Sequence, residues 1–308
     1  MWFNHEVLMR VFITGASGFI GTAVTEQLIK GGHEVLAMVR SDEGAAKVEK
    51  LGAKAHRTTL DNLEGLKAGA RQCDAVIHCA FNHDFSNFAA NCAEDRLAIL
   101  ALGEAMEGKS GPLIVTSGTG FSLEGKIRTE EDPANPSSEH WPRASEEAAA
   151  EVAKKHGVKV IVLRLPQVHD QEKFGLVTYA IEIAKQKGIA AYIGEGKNVW
   201  PAVAISDCAL LYKLALEKGA AGARYNAIGE EGVSAREIAE SISRGLNIPA
   251  KTISAEEAPA HFGWMAMFAG LDMRASSALT QERLGWKPTG PSLIHDLDRA
   301  TAFRSTTV

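Results

Sequence analysis

The chain has 308 residues, of which 45% are hydrophobic and 23% charged, with a formal net charge of −5 at pH 7. That length holds one large domain or two intimate ones. The acidic balance speaks against a nucleic-acid or anionic-membrane surface, and no apolar run approaches the roughly 20 residues that span a bilayer.

The chain opens MWFNHEVLMR, which lacks the basic-then-apolar order of a leader peptide, so a cytoplasmic protein is expected. Apolar or β-favouring residues over 8–14 predict a strand. It runs straight into Gly15, Gly18 and Gly21, and an apolar helical pattern follows over 19–30. Strand, glycine turn and helix in that order form the context of a dinucleotide fingerprint. Gly15 permits the tight turn, Gly18 lets the backbone approach a pyrophosphate, and Gly21 lets helix and strand lie close. The amide groups and positive dipole end of the helix then face the phosphates. Further strands are predicted at 34–40, 53–58, 75–79, 113–116 and 159–165, with helices at 42–51, 63–69, 88–106 and 144–156. Short apolar strands alternating with helices imply an α/β fold, a Rossmann-type doubly wound parallel sheet covered on both faces. The rhythm changes after Pro166. Glycines and Pro201 punctuate shorter elements, with clear helices at 207–218 and 234–246. Ser234 followed by Glu237 predicts a capping box. Residues 8–165 are therefore read as a nucleotide-binding domain. Residues 166–308 are read as a mainly substrate-binding part, with some segments returning to the large sheet. Cys73, Cys79, Cys92 and Cys208 lack metal-ligand spacing and read as buried thiols in a reducing compartment.

The segments TGASGFIG, CDAVIHCAF, LIVTSG, VLRLPQVHD, IGEGKNVWPAVAISDCALLYKLAL, YNAIGEEGVS and LTQERLGWKPT occur in this order along nearly the whole chain. As a set they resemble the extended and atypical short-chain dehydrogenase/reductases, the NAD(P)-dependent epimerase/dehydratase group. The resemblance implies a nicotinamide cofactor held by Gly15, Ser17, Gly18, Phe19, Ile20 and Gly21. Thr59 and Leu60 would flank the adenine, Cys79, Ala80 and Phe81 would line the cleft, and Pro166 would pack near the nicotinamide. NAD-preferring relatives carry an acidic residue at the end of the second strand, where this chain has Arg40. An arginine there pairs with a 2′-phosphate, which favours NADP(H) over NAD(H). The alternatives are that Arg40 ends its strand in solvent and that Asp42 reaches the ribose.

The family's Tyr-x-x-x-Lys pair is absent. None of Tyr179, Tyr192, Tyr212 and Tyr225 has lysine four residues on, and the aligned region places Pro142 and Glu146 at the two positions. Substitute candidates each carry a structural alternative. Ser117 binds a substrate carbonyl, or closes a strand end. Arg143 stabilises an oxyanion or holds an acidic substrate, or pairs with Glu147 on a helix surface. His169 is a general acid, or a loop histidine bonded to backbone. His83 and Asp84 orient a substrate, or form a capped turn. Trp141 flanks the pocket, or merely leads into the helix. Trp264 belongs to a lid over an apolar pocket, or to core packing or a dimer contact. The expected activity is NADP(H)-dependent reduction of a carbonyl, C=C or imine bond of a small molecule. An epimerase or dehydratase and a non-catalytic dinucleotide sensor remain as alternatives. Alanine-rich faces on the helices at 88–106 and 144–156 make a homodimer possible.

Overall fold

A computed structural model describes residues 8–121 and 126–303; segment 1–7 of the leader reading lies outside it. The glycine-turn unit is β1 (Arg10–Thr14) followed by α1 (Phe19–Lys30). Three more such units follow: β2 (Glu34–Val39) with α2 (Asp42–Lys50), β3 (Lys54–Arg57) with α3 (Leu63–Arg71), and β4 (Ala75–His78) with α4 (Phe88–Ala105). Then come β5 (Leu113–Gly118), α5 (Ser145–His156) and β6 (Val160–Leu165). Past Pro166 lie β7 (Gln167–His169), α6 (Leu176–Lys187), β8 (Ala190–Ile193) and β9 (Val199–Ala204). They lead to α7 (Ile205–Lys218), β10 (Arg224–Asn226), β11 (Glu230–Ser234), α8 (Ala235–Leu246) and β12 (Ala250–Ile253). Short helices α9 (Ala258–Phe262), α10 (Ala266–Ala269), α11 (Ala278–Leu284) and α12 (Leu293–Leu297) close the described chain.

The large sheet has the order β10-β6-β5-β4-β1-β2-β3, and all its pairings are parallel. Alternation along each strand divides the apolar residues between two cores. Val11, Ile13, Ile77 and Ile114 face α1 and α7. Phe12, Val76, Leu113 and Val115 face α3, α4 and α5. The chain adds β2 and β3 on one side of β1 and then crosses to add β4 on the other, so a crevice opens at the carboxyl ends of β1 and β4. Open α/β sheets bind ligands at this switch point. Strand β5 runs two residues beyond its predicted end, because Ser117 and Gly118 pair with Arg164 and Leu165.

After Pro166, a three-stranded sheet β11-β9-β7 and a two-stranded pair β12-β8 surround a third core, and β10 returns to the edge of the large sheet. The capping box is present at α8, where Ser234 accepts from the Glu237 amide and Glu237 accepts from the Ser234 amide. Among the described residues no helix is long and apolar enough to cross a membrane, and no cluster suits a metal ion.

Candidate active site

The glycine turn is built as a cradle. The Gly18 amide donates to the Gly15 carbonyl at 2.9 Å. A Cβ on Gly15 would lie 2.9 Å from the Ala80 backbone, and one on Gly21 only 2.1 Å from the Gly15 carbonyl oxygen. Either side chain would push β1, α1 and the β4 exit apart. Helix α1 starts at Gly18 without a side-chain cap. Its first-turn amides, on Phe19, Ile20 and Gly21, have no intrahelical acceptor and are free for an anion. The residues present therefore fit a dinucleotide pyrophosphate.

At the end of β2, Arg40 is exposed. Ser41 caps α2 by accepting from the Gly44 amide at 3.1 Å. The Asp42 carboxylate accepts from the Arg57 guanidinium, and the Lys47 ammonium donates to the Ser17 carbonyl at 2.9 Å. Three cations thus stand around this strand end, and one of them occupies its acidic group. Thr59 is exposed, while Leu60 is half-buried against the second core. Half-buried Cys79 receives a weak bond from the Thr116 hydroxyl at 3.9 Å, and burial pushes its thiol up to about 11. Pro166 is half-buried at the junction of β6 and β7.

Beside this crevice, Ser117, Thr119, Trp141, Arg143 and Ser145 line one pocket. Among the described residues the Ser117 hydroxyl has no partner. Arg143 does not pair with Glu147, whose carboxylate accepts from the Ser137 amide and hydroxyl at 2.8 and 2.7 Å. Instead the guanidinium lies over the Phe81 ring, 4.6 Å from its centroid. Its hydrogen bond is a long one, from Nη2 to the Thr116 carbonyl at 3.5 Å, and its Nε is enclosed without a partner.

An aromatic wall continues from Phe81. His83 meets Phe81 edge-on at 5.4 Å. Desolvation, followed by the Arg143 charge, lowers its pKa below the ordinary imidazole range. Trp264 stacks on Phe85 at 4.5 Å, and Tyr179 meets both rings edge-on. Trp141 touches Phe121 at 5.1 Å and Phe268 at 6.0 Å. The structure thus joins His83, Trp141, Arg143 and Trp264 through shared ring contacts. Asp84 is turned elsewhere: its carboxylate accepts from the Ser86 amide and hydroxyl and the Asn87 amide group, closing its own turn.

His169 is not brought to this pocket. It is fully enclosed, with Nδ1 2.8 Å from an Asp296 carboxylate oxygen and Nε2 sealed without a partner. A general acid must reach its proton acceptor, so this histidine ties β7 to α12 instead. Glu146, at the aligned lysine position, accepts from Arg164 at 2.8 and 2.9 Å and from Arg224 at 3.2 Å. Its charge is committed beneath the edge of the large sheet.

Sequence reasoning missed a buried polar chain below the site. Thr14 Oγ1 is 2.8 Å from His78 Nδ1, His78 Nε2 is 3.1 Å from Asp95 Oδ1, and the Ser145 hydroxyl donates to Asp95 Oδ2 at 2.6 Å. All four residues are at most 2% exposed. Burial would raise the Asp95 pKa, but the His78 hydrogen bond and charge, the Arg143 charge and the Ser145 hydrogen bond hold it below the usual carboxylate range. The signal lay in AVIHCA, where a histidine interrupts the apolar run of a strand buried on both faces. Asp95 likewise interrupts the apolar face formed by Cys92, Ala98, Ile99 and Leu102.

The NAD dependent epimerase/dehydratase family model matches residues 11–228, and the chain belongs to that family. It is 46% identical over 293 residues to an uncharacterized protein of Schizosaccharomyces pombe, covering 94% of this chain and 98% of that one. An uncharacterized protein of Saccharomyces cerevisiae is 41% identical over 292 residues, with the same coverage. The fold is similar to that of Thermus thermophilus UDP-glucose 4-epimerase in complex with NAD (TM-score 0.74, 22% identity, 97% of this chain and 100% of that chain). The motif resemblance to extended short-chain dehydrogenase/reductases is thereby shown, and with it the Rossmann fold.

Proposed function

We propose that the chain is an NADP(H)-dependent oxidoreductase that reduces a carbonyl of a small molecule without a tyrosine–lysine pair. The observation that carries this reading is the convergence of Ser117 and Arg143 on one pocket beside the nucleotide crevice. Bound NADPH supplies the hydride. The Ser117 hydroxyl donates a hydrogen bond to the carbonyl oxygen. The guanidinium of Arg143 faces the negative charge that develops there. Water at the pocket mouth supplies the proton, since neither side chain is a neutral-pH acid. The aromatic wall of Phe81, Phe85, Trp141 and Trp264 favours a substrate with a flat apolar portion. His83 lies on that wall and contacts the same substrate, while His169 and Asp84 have no part in the chemistry.

The preference for NADP(H) is supported by the β2 end, where Arg40 is free and Arg57 occupies Asp42. A reducing compartment such as the cytoplasm suits its four free cysteines. A turnover screen with NADPH across aldehydes and ketones tests the reading. Consumption of NADPH that falls in both Ser117→Ala and Arg143→Gln supports it. Turnover unaffected by either substitution overturns it.

A further inference from the structure

We infer that Asp95 is a positioning residue that, through His78 and Thr14, couples the nucleotide turn to the substrate pocket. The inference builds on the crevice and pocket assigned above, but concerns how one sets the other. The chain can be followed from one end to the other. The Ala80 amide donates to Thr14 Oγ1 at 3.2 Å. Ionised Asp95 only accepts, so His78 Nε2 carries the hydrogen that bridges to it. His78 Nδ1 and Thr14 Oγ1, 2.8 Å apart, share the next hydrogen. The Ser145 hydroxyl fills the second Asp95 oxygen. The chain is thus hydrogen-bonded without a break from the Ala80 amide to the Ser145 hydroxyl.

The two ends of the chain sit on the two halves of the site. Ala80 is the residue whose backbone a Gly15 side chain would strike, so its position fixes the glycine turn. Ser145 opens α5 and lines the substrate pocket two residues from Arg143. Helix α5 has no side-chain cap at Ala144. The Ser145–Asp95 bond is a buried tie on its first turn, beside those of Glu146 and Glu147, and it lies two residues from Arg143. Losing either end leaves a buried carboxylate or imidazole with an unmet partner, so the rest of the chain must re-form.

The test is a double-mutant cycle read as the NADPH dissociation constant. It is joined to the 5-fluorotryptophan resonance of Trp141 in the unliganded protein, assigned with Trp141→Phe. Thr14→Val and Ser145→Ala should each weaken NADPH roughly fivefold, about the net worth of one hydrogen bond, and the double variant should be no weaker than either. Thr14→Ser, which keeps the hydroxyl, should restore wild-type affinity. Thr14→Val should also move the Trp141 resonance, while Ser241→Ala, a hydroxyl lost elsewhere, should not. Asp95→Asn repeats both measurements should Thr14→Val fail to fold. Additive losses, approaching roughly 25-fold in the double variant, or an unmoved Trp141 resonance overturn the coupling. If the wild type binds neither NADPH nor NADH, the function proposed above fails, and the Trp141 resonance alone decides the coupling.

Discussion

Arg143 is the residue on which the proposed chemistry turns, because it is a guanidinium with little else to do. One long hydrogen bond and a ring contact leave its charge available to the pocket. Arg143→Gln keeps a polar side chain and removes the charge. Loss of one preorganised oxyanion donor costs on the order of 10²-fold in turnover. We expect that loss in kcat with NADPH affinity within about twofold, since the substitution leaves the hydrogen bonds of Ser145, Asp95, His78 and Thr14 in place. Steady-state kinetics beside a fluorescence titration checks this. Arg40 belongs to the same scale. Arg40→Glu should weaken NADPH by about tenfold or more and improve NADH relative to it, because a carboxylate repels a 2′-phosphate and accepts from a ribose hydroxyl. Unchanged preference would reassign Arg40 to solvent.

Elements add what single residues cannot. The segment from α9 to α10 carries Trp264 and Phe268 across from the β4 exit loop, and their rings close the aromatic wall. Trp264 lies in the bend between the two helices, so Trp264→Ala should raise KM more than it lowers kcat. Helix α4 brings Asp95 against β4 and α5, which gives the acid limb of stability a defined sign. Its folded pKa is lowered, against an unfolded value of about 3.9. The stability it contributes is complete above that unfolded value and is lost as pH falls through the folded one. Asp95→Asn should lower stability at pH 7 and flatten the fall below about pH 4, as thermal melts across pH would record.

For the whole molecule, the parallel sheet and its covering on both faces were legible because parallel strands buried on both faces leave continuous apolar runs. The glycine turn was legible because only glycine fits where a Cβ would lie 2.1 Å from a carbonyl oxygen. What sequence reading lacked was direction. It placed Arg143 beside the correct strand but could not tell pocket from helix surface, which depends on Ser137 satisfying Glu147 from ten residues away. It offered His169 for chemistry because a loop histidine near the substrate turn reads as accessible. The sealing partner, Asp296, lies 127 residues further on. The chain of Thr14, His78, Asp95 and Ser145 joins four separate segments and is visible only once β1 and β4 are paired. At this scale we also propose a homodimer through α4 and α5. Leu97 on α4 is 51% exposed, an apolar side chain on the face that such a pairing would cover. Light scattering should give twice the 32.9 kDa chain mass, and Leu97→Arg should return it to one.

The central claim is a working NADP(H) cleft beside a Ser117–Arg143 pocket, and titration of the purified protein with NADPH and NADH, followed by tryptophan fluorescence, tests it most directly. The account predicts saturable binding of NADPH at least about tenfold tighter than NADH, with the preference lost in Arg40→Glu. Binding of neither nucleotide would contradict it and turn the search toward a protein that kept the fold without the chemistry.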